Sequence, residues 1–171
     1  MLVTLGAKRP AEGLEGLLLE CHERIRSFID VAGEVGRRLD LPDDDVKDAC
    51  TRCARYFAEA LPLHVQDEEL SLLPRLEGKS AELDLTLQRM HEQHQAHEPQ
   101  LEELLNVLGN VRERPRDSRE RQRLRAVAER LARELEEHLQ LEEKAIIPFL
   151  SELSSDMEAK IIHELRARRG A

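Results

Sequence analysis

Aromatic residues are nearly missing from this chain: Phe28, Phe57, Phe149 and Tyr56, with no Trp, among 171 residues. Without large rings the core has to be aliphatic, which suits packed helices better than a β-sandwich. The same lack removes the stacking platforms that hold single-stranded nucleic acid. An excess of positive charge is missing too. The net charge is −9, which argues against a nucleic-acid backbone as partner. No run approaches the ~20 apolar residues of a membrane span. The opening MLVTLGAKRP has no apolar stretch long enough for a secretion signal. Three cysteines are an odd number and too sparse for a disulfide framework. These absences lead to the expectation of a soluble, cytoplasmic protein with neither nucleic acid nor membrane as partner.

What is present is charge and helical period. Charged residues make up 36% of the chain, against about 25% on average. Apolar residues recur at three- and four-residue spacing, the mark of amphipathic helices. Four long segments are expected, from about Ala11 to Leu39, from after Pro42 to about Leu73, from Ser80 to about Leu108, and from near Asp117 to about Leu150. A short fifth helix, about 155–169, is expected to open on a Ser155/Glu158 capping box. The connectors are short, so sequential helices become antiparallel neighbours. The expected fold is all-α, an up-down-up-down four-helix bundle over about 11–150 with a C-terminal helix, in a single domain over 1–171. The charge-rich stretch from Val111 to Arg121 is expected to be a loop.

One phrase is written twice. HVQDEELSLLP starts at His64 and HLQLEEKAIIP at His138. Both carry His at the first position, Glu-Glu at the fifth and sixth, and Pro at the last. On a helical wheel Glu68 falls within about 40° of His64, and Glu142 within about 40° of His138, all on apolar stripes. His94 sits amid Leu83, Leu87, Leu101 and Leu105 on the third helix, and His22 beside Leu18, Ile25 and Ile29 on the first. Each long helix thus sends one histidine inward near mid-length, and two add a glutamate one turn on. A buried hydrogen-bonded network among these six groups is one reading. Metal binding answers the cost of burying two carboxylates more economically. Six nitrogen and oxygen donors suit two ions, iron, manganese or zinc, with Glu68 and Glu142 placed to bridge them. The Glu-x-x-His order of ferritin-like di-iron bundles does not occur, since no histidine here has Glu three residues before it.

The order H…HxxxE…H…HxxxE on four helices resembles the hemerythrin-like, or HHE cation-binding, family. The residues that carry the resemblance are LLLECHERI around His22, ALPLHVQDEELSLLP around His64 and Glu68, RMHEQHQAH around His94, and ELEEHLQLEEKAIIP around His138 and Glu142. It covers about Gly13 to Leu150, and MEAKIIHELRARRG resembles the tail of such domains. The resemblance implies a non-haem di-iron centre of two iron ions, with zinc or manganese as substitutes. It also implies a small ligand such as dioxygen, peroxide or nitric oxide. Relatives bind oxygen, sense iron or oxygen, respond to nitric oxide, repair iron–sulfur centres or decompose peroxide. An iron or oxygen sensor or metal store without turnover is therefore the alternative to an oxidoreductase. Oxygen-carrying hemerythrins have H-x-x-x-H on helix three and H-x-x-x-x-D on helix four. Here the third helix carries His91, His94 and His97, and Glu143 takes the place of the Asp. These departures favour oxidation chemistry, peroxide handling or sensing over oxygen carriage.

Other groups invite weaker readings. His91 lies about 60° from His94 and is a possible additional ligand. Glu69 and Glu143, about 140° from their phrase's histidine, are expected to face solvent. Cys50 and Cys53 form C-x-x-C but lie on an apolar stripe, where packing is the more common use. Pro62 and Pro99 are expected to kink their helices near the site.

Overall fold

The helical period carries through the computed structural model, which describes residues 13–170. The expected start at Ala11, and the ends of the expected 1–171 domain, lie outside the described residues. Helix α1 spans Gly13–Arg37. A long rod follows, built from α2 (Asp43–Arg55), α3 (Leu61–Asp67) and α4 (Leu73–Leu76). Two π-helical turns, Tyr56–Ala60 and Glu68–Leu72, join its pieces. Helix α5 spans Ala81–Glu113, α6 Ser118–Ala145, α7 Ile147–Leu150 and α8 Ser155–Arg168. Among the described residues there is no strand, and no helix is long and apolar enough to cross a membrane. The architecture is an all-α bundle with a short C-terminal helix. Helix α1 packs on α2 and α6, and α5 packs on the same two.

The prolines mark where the rod changes winding. The Leu61 N–H bonds to the Tyr56 carbonyl and the Leu73 N–H to the Glu68 carbonyl, each five residues back. Each wide turn stands immediately before a proline-bearing start, Leu61-Pro62 or Leu73-Pro74. Proline lacks the N–H and clashes with the carbonyl four residues back, so a wider turn accommodates it without breaking the rod. Pro99, by contrast, sits inside an uninterrupted α5. The rod therefore reaches Leu76, beyond the expected Leu73, and turns at Gly78, whose φ of 78° suits a residue without a side chain.

Caps place the other boundaries. Ser80 accepts from the Leu83 N–H at 3.1 Å and opens α5 as expected. Asp117 accepts from the N–H groups of Arg119 and Glu120 and opens α6. Helix α5 runs to Glu113, beyond the expected Leu108, so only four residues of the expected 111–121 loop, Arg114 to Asp117, lie outside helix. Arg and Glu propagate a helix well, and Pro115 ends it. The cap of α8 is Ser154, whose hydroxyl accepts from the Met157 N–H, one residue before the expected Ser155. Glu158 instead accepts from the Leu14 N–H at 2.9 Å, which ties α8 to the start of α1.

The interior is two apolar clusters with a polar layer between them. One contains Ile29, Val46, Phe57, Leu104, Leu124 and Leu131. The other contains Leu14, Leu18, Leu76, Leu83, Ile146 and Ile161. Gly36 lets α1 approach α6, since a Cβ there would stand 2.6 Å from the Arg125 nitrogen. Arg121 is fully buried without a carboxylate. It donates to the backbone carbonyls of Val35 at 2.7 Å, Pro115 at 2.8 Å and Arg38, so its charge meets the C-terminal end of α1.

Candidate metal centre

The polar layer is where the inward histidines of the four long segments meet. His22 comes from α1, His64 from α3, His94 from α5 and His138 from α6, with Glu68 at the start of the second π turn and Glu142 one turn beyond His138. All six are buried, Glu68, Glu142 and His22 completely. Their donor atoms fall into two groups, each with all its atoms within 4.8 Å of one another. The first is His22, His64, Glu68 and Glu142. The second is Glu68, His94 and His138. Glu68 alone belongs to both.

Distances in the layer are short, but hydrogen bonds do not explain them. His22 Nε2 stands 2.9 Å from Glu142 Oε2, His64 Nε2 3.0 Å from Glu68 Oε1, and His94 Nε2 2.8 Å from Glu68 Oε2. Yet among the described residues both oxygens of Glu68, both of Glu142, both nitrogens of His64 and the Nε2 of His22 lack an aligned hydrogen-bond partner. Proximity without alignment means that the lone pairs converge on shared points rather than on each other's protons. Such atoms are costly to bury unless a cation satisfies them. The donor set of imidazoles and carboxylates is one that divalent transition ions accept.

The histidine tautomers agree. The Nδ1–H of His22 donates to Glu143 at 2.9 Å, that of His94 to Glu69 at 2.5 Å, and that of His138 to the Gln93 side-chain carbonyl at 3.0 Å. Each bond leaves Nε2 as the lone-pair nitrogen and aims it into the layer. The Nε2 atoms of His94 and His138 consequently face each other at 3.1 Å. Two lone pairs repel at that distance, so a proton or a metal cation has to lie between them.

Charge in the cation-free layer follows the same logic. Burial opposes ionisation of Glu68, but the positive charge of His64 and the close imidazoles of His138 and His94 outweigh it, and its carboxyl lies well below the usual range. Glu142 goes the other way: burial and the neighbouring charge of Glu68 push it up to about 7. Burial works against protonation of His64, yet the carboxylate of Glu68 holds it well above its ordinary value. Two carboxylates this close cannot both ionise unless positive charge joins them.

Glu69 and Glu143 correct the expectation that they face solvent. Each is partly buried, and with the preceding glutamate it grips one imidazole of a neighbouring helix by both nitrogens. Glu68 and Glu69 hold His94, and Glu142 and Glu143 hold His22. Arg26 donates to Glu143 at 3.0 Å and to both oxygens of Glu136. The wheel had its zero on the phrase's own histidine, as though each helix had one inward direction. A bundle helix faces two neighbours, and the imidazole that the glutamates hold lies between their directions, about 40° and 140°. Gln93, too, had no signal beyond its place beside His94.

His91 does not join either group. It is half exposed, and its Nδ1 bonds to Glu69 at 3.0 Å. His97 is buried near His138, with 5.6 Å between ring centroids, and burial pushes it down to about 4, so it is neutral. His163 is exposed on α8. Cys50 and Cys53 are buried in the apolar cluster at the far end, where burial pushes their thiols up to about 11 and about 12, away from thiolate chemistry. Behind the layer α8 is clipped to the rod. Buried Asp67 accepts from Arg168 at 2.8 Å and Arg169 at 2.6 Å, and Glu164 pairs with Arg75 at 2.6 Å.

A family model described as hemerythrin, the hemerythrin HHE cation binding domain, matches residues 15–150. The comparisons with curated proteins and with solved structures return no match.

Proposed function

The chain belongs to the hemerythrin HHE cation-binding domain family, and from that premise we propose that it is a non-haem di-iron protein. Its ligand is small: dioxygen, peroxide or nitric oxide. His22, His64, Glu68 and Glu142 would hold one ion, and Glu68, His94 and His138 the other, with Glu68 common to both groups. Zinc or manganese suits the same donors. Iron, when bound, supplies a redox change and a position at which a small ligand reacts.

One observation carries the reading: seven buried nitrogen and oxygen atoms converge without a hydrogen-bond partner among the described residues. The chain's own part is preorganisation. Glu143, Glu69 and Gln93 hold three imidazoles with Nε2 facing inward. Arg26 fixes Glu143 in turn. The apolar clusters flank the layer on either side. The first group has four donors and the second three, so the small ligand would sit on the His94–His138 side.

The test is metal analysis of anaerobically purified protein, followed by an absorption spectrum on adding oxygen or azide. Two ions per chain and new near-ultraviolet to visible bands are expected. Fewer than one ion per chain sinks the di-metal reading. A loaded protein that binds these ligands but never turns over peroxide or oxygen would be a sensor or store rather than an oxidoreductase.

A further inference from the structure

A cavity of about 300 Å³ reaches the centre from one side. It lies between α3 and α5, and α1 and α6 form its back wall. His94 and His138 of the three-donor group stand in its wall, with His64 of the four-donor group beside them. Pro62, Gln66 and Glu98, all exposed, surround its mouth. The rest of the wall is mainly aliphatic, with Ile25, Leu61, Val65, Leu101, Leu135 and Leu139. Among the described residues no Lys or Arg lines it.

Two features make this more than a passage for a diatomic gas. The first is size. A cavity of about 150 Å³ holds benzene, and a water molecule takes about 30 Å³. The space here is roughly twice the former and ten times the latter. The second is His97. It is 6% exposed, stands in the cavity wall, and forms no hydrogen bond among the described residues. An imidazole carries two ring nitrogens, and neither is used in a hydrogen bond among the described residues. A largely apolar chamber with a polar mouth, one buried polar group in its wall and a metal-ligating end is the usual form of a site for a small organic molecule.

We propose that this cavity binds the apolar body of an organic ligand of roughly ten heavy atoms, whose single oxygen-donor head reaches the His94–His138 side of the centre beside His97. The proposal rests on the metal reading and names the class of molecule that the centre meets. Apolar walls hold the body by excluding water, and His97 hydrogen-bonds the head while it lies against the second ion's donors.

The experiment uses zinc-loaded protein, which binds without redox turnover. Cumyl alcohol, phenylacetate, toluene and methanol are titrated by calorimetry, with zinc content measured in parallel. Cumyl alcohol or phenylacetate is expected to bind at least tenfold tighter than methanol. The stronger of the two assigns the head as neutral or anionic. Leu101→Trp and, separately, Val65→Phe fill the chamber and should weaken that binding at least tenfold with zinc content unchanged. His97→Leu keeps the volume and removes the ring nitrogens; it should weaken the oxygen-headed probe at least threefold and leave toluene unaffected. Two bound ions with no binding of either aromatic probe overturn the proposal and leave the metal reading standing. So does binding that neither filling variant changes. Zinc below one ion per chain overturns the metal reading and the proposal with it.

Discussion

The two glutamate pairs do the same thing in different surroundings. On the rod, Glu68 and Glu69 grip His94 of α5; on α6, Glu142 and Glu143 grip His22 of α1. The histidines of the two phrases, however, cross over. His64 stands beside His22, with 5.4 Å between ring centroids, and His138 beside His94, with 4.6 Å. Each donor group therefore draws on both phrases, and neither half of the chain builds one alone. The halves then diverge. Glu68 serves both groups while Glu142 serves one. Glu143 is backed by Arg26, a permanent charge, and Glu69 by His91, half exposed and titratable. The comparison teaches that a repeated sequence phrase need not make an equal pair of sites. Here it makes one group of four donors and one of three, and a cavity reaches both histidines of the latter but only His64 of the former.

The largest expected effect breaks that asymmetry at its centre. Glu68→Ala should abolish binding of both ions, whereas Glu142→Ala should lose chiefly the ion of the first group. Metal-to-protein ratios decide, and equal losses from the two variants would contradict the shared role of Glu68. Next, His138→Ala should remove the second ion and spare the first, while His22→Ala should do the reverse; absorption and metal content would report it. Each of these is a ligand deletion, so the effect is loss of an ion rather than a graded shift.

A smaller effect separates the outer partners. Glu143→Gln and Glu69→Gln each loosen one imidazole, and each should cost about 10–100-fold in affinity for its own ion. Competition with a chelator measures it. His91→Ala should cost less than either, because Glu69 still holds His94 without it.

The smallest effect is on stability without metal. Glu142 ordinarily titrates near 4.5 and is pushed up to about 7 in the folded chain. A raised carboxyl contributes stability that is present at low pH and lost as pH rises through the folded value. His64, His22 and His94 are raised and act in the same direction. His97 is lowered from 6.5 to about 4 and acts the other way, but its opposing contribution is nearly spent by about pH 7.5, where the unfolded imidazole is itself neutral. Between pH 6.5 and 8 the metal-free protein should thus lose stability, on the order of 3–5 °C in Tm. Loaded protein should show a flatter profile, because the cation replaces the proton. A metal-free Tm that rises across this window would contradict the charge assignment of the layer.

Much of this was legible before any coordinates. Helical period and the inward stripes placed His22, His64, His94, His138, Glu68 and Glu142 at one level, because i to i+4 spacing on a helix is set by geometry alone. Capping residues Ser80 and Asp117 located two helix starts, since a side-chain acceptor before a helix has a local purpose. Local chemistry misplaced the α8 cap by one residue, because Ser154 and Ser155 are chemically alike. It misread Glu69 and Glu143, because a wheel has angles but no neighbours. Asp67, buried against Arg168 and Arg169, gave no sign of its partners a hundred residues away.

The division has a physical basis. The amino-acid order by itself determined the elements and the inward residues, because period, capping and proline placement act within a few residues of the chain. It also determined that two carboxylates would be buried among four imidazoles. Only the tertiary structure decided which imidazole each glutamate grips, which group is short of a donor, and that a cavity lined by His97 opens there. Those outcomes depend on how α1, the rod, α5 and α6 approach one another, and on the two π turns that re-aim the rod.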